Sequence, residues 1–398
     1  MNKGVAGRAG WQAKRLDEVC EIIMGQSPDG DSYNVTGEGV PLINGPVEFS
    51  QGAFGKTTRS KFTTEPTKLC RENDLILCVR GSTTGRMNIA GFDACVGRGV
   101  AAIRAKEYQP WINHFISSKR DEIHRLGTGA TFPNVSGTML NDLQLPFPPL
   151  PEQRRIVGIL DEAFDGIAAA KANAEKNLQN ARDLFESHLQ AVFTQRVKGW
   201  VEKRLEEVAD ANCTLSYGIV QPGDEYPDGL PVVRPTDLTT KVIQLSGLKR
   251  IDPELAGGYR RTSLYGRELL LCVRGSTGVV SIASAELVGA NVTRGIVPIR
   301  FDADLLTPDF GFYLMSSGSV QSQIREKTYG AALMQINIRD LRNIMLSFPA
   351  LKEQKVIAAK LDALSAKTQR LESIYQQKLA ALGALKKSLL DQAFTGAL

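Results

Sequence analysis

The sequence predicts an α+β protein made by internal duplication: a globular domain, a long helix, a second globular domain and a second long helix. Three observations carry that prediction. Residues 150–198 and 350–398 each hold one apolar seam at helical spacing. The two stretches align at a constant offset of 201, pairing Glu152 and Gln153 with Glu353 and Gln354, Ile156 with Ile357, and Phe193 with Phe394. Short β-rich runs, broken by Gly, Pro, Asn and Asp, recur in matching order ahead of each stretch.

In chain order, residues 1–149 form the first globular domain. Its β-rich runs are residues 40–43, 75–79 and 99–103, and residues 111–125 read as a helix. Pro146, Pro148 and Pro149 stop regular structure before the first long helix. Pro151 then fits a first helical turn, where its missing N–H costs nothing. The seam of this helix runs through Ile156, Leu160, Ala163, Ile167, Ala170 and Ala174, in alternating steps of 4 and 3. Past Asn177 it shifts by one and continues through Leu178, Ala181, Phe185 and Val192, with His188 a packed neighbour. At about 1.5 Å per residue the helix is roughly 65–70 Å long, more than a compact domain needs for its own core.

Residues 199–349 repeat the plan, with β-rich runs at 232–234, 269–273 and 295–299, a helix at 308–326, and Phe348 and Pro349 closing the domain. The second helix, residues 350–398, has its seam at Ile357, Leu361, Leu364, Thr368, Leu371, Tyr375, Leu379, Leu382, Leu385 and Leu389. Two equal helices with one seam each bury those seams against each other. The second leaves the far end of the second domain, so pairing with the first makes an antiparallel coiled coil. The domains are then expected at opposite ends, related by a pseudo-two-fold axis.

The domains share a frame and differ in loops. Leu75, Leu77, Cys78, Val79, Arg80, Gly81, Ser82 and Thr83 match Leu269, Leu271, Cys272, Val273, Arg274, Gly275, Ser276 and Thr277. Arg98, Gly99, Ile103 and Arg104 match Arg294, Gly295, Ile299 and Arg300. The offset climbs from 189, where Trp11 and Leu16 match Trp200 and Leu205, through 194 and 196 to 201. Stepwise growth between shared blocks is what loop insertions in a common scaffold produce.

Bulk properties narrow the function. No window approaches a membrane span, and the first residues lack the apolar run of a signal peptide, so a cytoplasmic protein is expected. Six cysteines without a Cys-x-x-Cys pair and three histidines argue against a zinc site or disulfide framework. Cys78 and Cys272 read as reduced core residues. The net charge of +5 is uneven: +2 over residues 1–150, 0 over 151–199, −1 over 200–349 and +4 over 350–398. An anionic partner fits that excess, and so does an evenly solvated surface. Pro148 and Pro149 lack the preceding Asn or Asp of an adenine methyltransferase motif. Gly55, Lys56 and Thr57 lack the upstream glycine of a phosphate-cradling loop, with Ser at position 50.

The junction Pro148, Pro149, Leu150, Pro151, Glu152, Gln153 and the ending Ser388 to Leu398 resemble the specificity subunit of type I restriction–modification systems. The resemblance covers the whole chain. It departs locally in the second copy, which reads Ala350, Leu351, Lys352 before Glu353 and Gln354. It implies two target-recognition domains, each reading one half of a bipartite sequence in double-stranded DNA, with the helices setting the unread gap. It further implies docking of two methylation subunits that use S-adenosylmethionine. Restriction subunits using ATP and Mg would join them, with no cofactor or metal in this chain. Two rival readings stand beside it: a stand-alone DNA methyltransferase or nuclease with duplicated domains, and a coiled-coil scaffold with two protein-binding domains.

The repeated Arg-Gly-Ser-Thr turn is the best site signal. Arg80, Ser82, Thr83 and Arg274, Ser276, Thr277 each end a β run, and Arg98 and Arg294 are their shared companions. Residues common to both domains suit phosphate better than bases, because they cannot explain two different half-sites. Base readers belong in unshared loops: Asn44, Lys56 to Lys61, Thr131 and Asn134 in the first domain, and Arg234, Thr236, Lys241 and Gln335 in the second.

Overall fold

The computed structural model describes residues 10–127, 134–194, 199–330 and 333–398. The chain divides into two compact units, residues 1–175 with 377–398, and residues 176–376. Each unit therefore holds one globular domain and part of both long helices.

The first unit is organised around strand Leu75–Cys78, whose four residues are all buried. Leu75, Leu77 and Val79 face one core with the helices, while Ile76 and Cys78 face another. A strand covered on both faces needs a continuous apolar run rather than an alternating one. It sits third in a four-stranded antiparallel sheet, between Val100–Ala105 and Met87–Ile89, with Cys20–Met24 on the outside. A five-stranded sheet lies beside it, in which Val40–Ile43 pairs in parallel with Ala94–Val96.

The second unit repeats the centre. Leu269–Cys272 is buried throughout and lies between Ile296–Ile299 and Val280–Ala283. Leu269, Leu271 and Val273 face the helical core, and Leu270 and Cys272 face away. Val242–Ile243 extends this sheet in parallel, while Leu230–Val233 pairs in parallel with Asn291–Val292. The periphery differs from that of the first unit, as stepwise offsets predict. In each domain the first strand pairs with the last, Gln12–Arg15 with Gln144–Phe147 and Val201–Arg204 with Met345–Phe348.

Each helix expected inside a domain is two. Gln109–Ser118 and Arg120–Leu126 break at Lys119, and Pro308–Ser316 and Gly318–Glu326 break at Ser317. Ser317 is extended, at φ −67° and ψ 150°, and its buried hydroxyl donates to the Leu314 carbonyl at 2.6 Å. That bond offers the backbone an alternative to helix.

The long helices are Leu150–Thr194 and Leu351–Thr395. Residues 195–198 lie outside the described part. Gln153 and Gln354 are wholly buried hooks: their amides donate to the carbonyls of Pro148 at 2.9 Å and Pro349 at 2.8 Å. The repeated Glu-Gln thus ties each helix to the proline segment that starts it. In the first unit Ile156, Val157 and Leu160 share a core with Leu390, Ala393 and Phe394. In the second, Leu189 and Phe193 share one with Ala358 and Leu361. The start of one helix thus packs with the end of the other in both units, which is the expected antiparallel pairing.

The seam needs three corrections. Leu371 is 38 % exposed, and Leu385 is exposed too. From buried Thr368 the seam steps four residues to Glu372, then three to Tyr375, and Glu372 accepts from Arg182 Nε at 3.0 Å. His188 is exposed, and its neighbour Leu189 is buried instead. Ile167, Leu178, Phe185, Ile357, Leu364, Leu382 and Leu389 are half-buried along the pairing.

Candidate nucleic-acid interface

Backbone pairing brings three of the predicted segments together at one end of each domain. In the first, the Val79 N–H donates to Gly99 at 3.0 Å, and the Val79 carbonyl accepts from Val135 at 2.9 Å. Arg80 is bridged to Asn134. In the second, Val273 donates to Gly295 at 2.8 Å and accepts from Ile336 at 3.0 Å, with Arg274 bridged to Gln335. The strand that ends in the repeated turn is therefore flanked by the Arg-Gly pair on one side and an unshared polar residue on the other.

Glycine has two separate reasons here. Gly81 and Gly275 sit at φ +76° and +82°, where a side chain is strained. Gly99 and Gly295 are sites of close approach: an added Cβ would lie 2.4 Å from the Asn44 carbonyl oxygen in one case and 2.5 Å from Pro235 Cγ in the other. Packing beneath that turn accounts for the glycine of the shared pair, and Arg98 and Arg294 beside it remain exposed.

The same contacts show that Asn44 and Arg234 occupy equivalent places. Each directly follows a parallel-paired strand, after Ile43 and Val233, and leads into a tight helical turn: Arg234 caps Pro235–Asp237 itself, while Gly45 stands between Asn44 and Pro46–Glu48. An acid closes each turn. Buried Glu48 accepts from the backbone N–H groups of Asn44 at 3.3 Å and Gly45 at 3.2 Å, and from Ser60 at 3.1 Å. Asp237 accepts from the Arg234 N–H at 2.7 Å and holds the guanidinium by two further bonds, at 2.8 and 3.1 Å. That hydrogen-bonded pairing raises the Arg234 pKa above its usual value. The Asn44 side-chain oxygen is buried with no partner among the described residues. Sequence reasoning missed Glu48 and Asp237, although an acid two residues after a proline at a strand end signals such a cap.

Among the described residues, no hydrogen bond or ion pair engages the guanidinium groups of Arg80, Arg98, Arg274 or Arg294. Ser82 and Ser276 are exposed, and Thr236 is exposed on its turn. Thr277 is committed structurally, donating to the Met334 carbonyl at 3.2 Å. Tyr217, which sequence reasoning passed over, donates to the Ile336 carbonyl at 3.2 Å. Burial raises its pKa, and Arg294 acts in the opposite sense. Below the sheet, burial pushes the Cys78 thiol up to about 11 and raises that of Cys272, as expected of core residues.

Two predicted readers, Lys56 and Lys241, are not part of this cluster. Lys56 bridges to Ile89, which pairs with Leu75, the opposite end of the central strand from Arg80. Its ammonium is held by Glu72 at 3.1 Å. Lys241 is drawn to Asp362 and Asp309 and lies over the Tyr313 ring at 4.7 Å, so its charge is spent inside the second unit. Thr131 lies outside the described residues. Among the described residues, no group of acidic, His and Cys side chains is arranged to hold a metal ion. No described helix is long and apolar enough to cross a membrane.

A family model described as "Type I restriction modification DNA specificity domain" matches residues 8–179 and again 197–380. The chain belongs to this family. The double match coincides with the duplication seen in the fold. The type I restriction enzyme EcoBI specificity subunit of Escherichia coli is 24 % identical over 413 residues, spanning 98 % of this chain and 86 % of that one. A solved chain from work on complex assembly and conformational transition of the type I R-M system superposes with a TM-score of 0.80 at 20 % identity, covering 98 % of this chain and 99 % of that one. The HsdS subunit from Thermoanaerobacter tengcongensis gives 0.61 at 19 % identity, covering 98 % of each. At such identities the structures speak for the fold. Membership in this specificity family rests on the two sequence matches.

Proposed function

We propose that this chain is the non-catalytic DNA-recognition subunit of a type I restriction–modification complex. Each domain reads one half of a bipartite duplex target, and the long helices set the unread gap. The observation that carries this reading is one cationic turn built twice on one frame, with different residues at the equivalent reading positions. Arg80 and Arg98, or Arg274 and Arg294, hold phosphates. Asn44 and Asn134 face one half-site, and Arg234, Thr236 and Gln335 face the other. Methylation subunits dock on the helices, a role supported by Val356, Leu371 and Ile374, which are exposed on the second helix. Two such subunits carry S-adenosylmethionine, restriction subunits carry ATP and Mg, and the complex works in the cytoplasm.

The test exchanges residues 11–147 for the corresponding domain of a relative and maps methylated adenines in host DNA. One half of the recognised sequence should change while the other half and the gap stay the same. A change in both halves would end the modular reading, and a changed gap would remove the helices from their spacing role. The scaffold reading is separated by salt: binding to random duplex that falls steeply with ionic strength belongs to DNA recognition.

A further inference from the structure

A loop in the second domain presents an apolar pair beside the arginines. Tyr329 and Gln335 exchange both backbone hydrogen bonds, at 2.9 and 2.8 Å, and so close the loop between them. Within it, the Met334 carbonyl accepts from the Gly275 N–H at 2.8 Å and from Thr277 Oγ1 at 3.2 Å. Those bonds fasten the loop to the repeated turn. Leu333 reaches toward Gly275, where an added Cβ would lie 3.8 Å from Leu333 Cδ1. Yet Leu333 and Met334 are 45 % and 46 % exposed.

Single exposed hydrophobic residues are ordinary on a protein surface. Two large ones in succession, anchored by backbone bonds and set beside cations, are a different case. Arg274 immediately precedes Gly275, and Arg294 precedes the Gly295 that pairs with Val273. The occupant must therefore offer negative charge and flat apolar surface within one side chain's reach. Stacked base pairs flanked by phosphates offer both. A protein partner would have to supply carboxylates around an apolar socket of the same size.

We propose that Leu333 and Met334 form an apolar wedge that enters the base stack at the second half-site while Arg274 and Arg294 hold the adjacent phosphates. The proposal rests on the DNA-recognition reading and deepens it. A wedge partly unstacks one base step, and steps differ in how readily they yield. Part of the second domain's specificity would then come from deformability at a step where no base edge is read.

The experiment uses the assembled methylation complex and target duplexes carrying 2-aminopurine at successive positions of the second half-site. Binding should raise the fluorescence at one step apart from the methylated adenine, which a methylation subunit itself takes out of the stack. The double variant Leu333→Ser, Met334→Ser should abolish that rise and bind about tenfold more weakly, with the salt slope unchanged because no charge is lost. Exchanging the two residues, Leu333→Met with Met334→Leu, should retain both signals. Wild-type binding without a rise at any position other than the methylated adenine would overturn the wedge. So would a double variant that matches wild type, or one that binds duplex normally but sheds methylation subunits. A wild-type complex that binds no duplex would instead overturn the DNA reading itself.

Discussion

The two domains place the same arginine at the same point of the frame and surround it with different chemistry. Arg104 grips Asp74 through two hydrogen bonds, at 2.9 and 2.7 Å, and reaches Glu21 at 2.7 Å. Its counterpart Arg300 stacks on the Tyr265 ring at 4.3 Å and lies 4.0 Å from Asp210. Glu268 stands where Asp74 does, but one of its carboxylate oxygens is buried without a partner among the described residues. The anchors between domain and helix diverge in the same way. His114 Nε2 meets Asp161 at 2.8 Å, while Tyr313 and Lys241 share Asp362. Conserved position with changed chemistry teaches that duplication preserved the backbone frame. The polar contacts were then settled separately in each copy.

The largest expected effect is on stability. Asp74→Asn takes the negative charge from beside Arg104 and turns one of its two acceptor oxygens into a donor, and should cost the first unit about 3 kcal/mol, the low end for a broken buried pair because one acceptor remains and Arg104 keeps some contact with water. Glu268→Gln keeps an acceptor for the Tyr265 N–H and changes only the oxygen that has no partner among the described residues, so it should cost far less. Chemical denaturation of both variants, followed by hydrogen exchange in each unit, checks the asymmetry. Equal losses would mean that the two sites are energetically the same.

Next come the equivalent reading positions. Asn44→Ala and Arg234→Ala should each relax one position of one half-site, at about 1–3 kcal/mol of discrimination if the residue contacts a base. Binding to a library of single-base variants of the mapped target reads this directly. Relaxation of the same half-site by both substitutions would contradict the one-domain, one-half assignment.

The shared arginines should behave alike where the readers differ. Arg80→Ala and Arg274→Ala should each weaken binding to every sequence and flatten the logarithmic salt dependence by about 0.9. A sequence-dependent loss would move that arginine from phosphate to base.

The smallest effect is a pH difference between the units. Burial holds the His114 pKa below its usual 6.5, and the Asp161 contact opposes that shift without reversing it. Below that value the unfolded chain takes up the proton first. The stability contribution is therefore full above about pH 6.5 and falls as pH drops toward the depressed folded value. Burial raises the Tyr313 pKa, so the second unit has no matching loss at this anchor. Hydrogen exchange at pH 7.5 and 5.5 should show greater opening at Gln109–Ser118 than at Pro308–Ser316. His114→Gln should flatten the difference.

Much of this protein was legible in the sequence because periodicity and duplication are local signals. The repeated seams, the proline stops and the buried runs around Leu75 and Leu269 depend on spacing of 3.6 or 2 and on burial of both strand faces. The break at Ser317 was not legible, because a buried hydroxyl bonding backward competes with helix only once the segment is packed. Leu371 and Leu385 carried the right residue type but fell off the seam, since the step of four or three after Thr368 is settled by what lies opposite. Among candidate site residues, the repeated turn was found by sequence alone. Its companions Asn134 and Gln335 were named only as members of variable loops. Backbone pairing between distant segments set them beside Arg80 and Arg274. It equally gave Lys56 and Lys241 acidic partners, Glu72 and Asp362, as it gave Arg234 Asp237. Sequence by itself determined the order of elements and the kinds of residue available to them. Only the tertiary structure decided which charges remain unpaired, because pairing depends on distances between segments far apart in the chain.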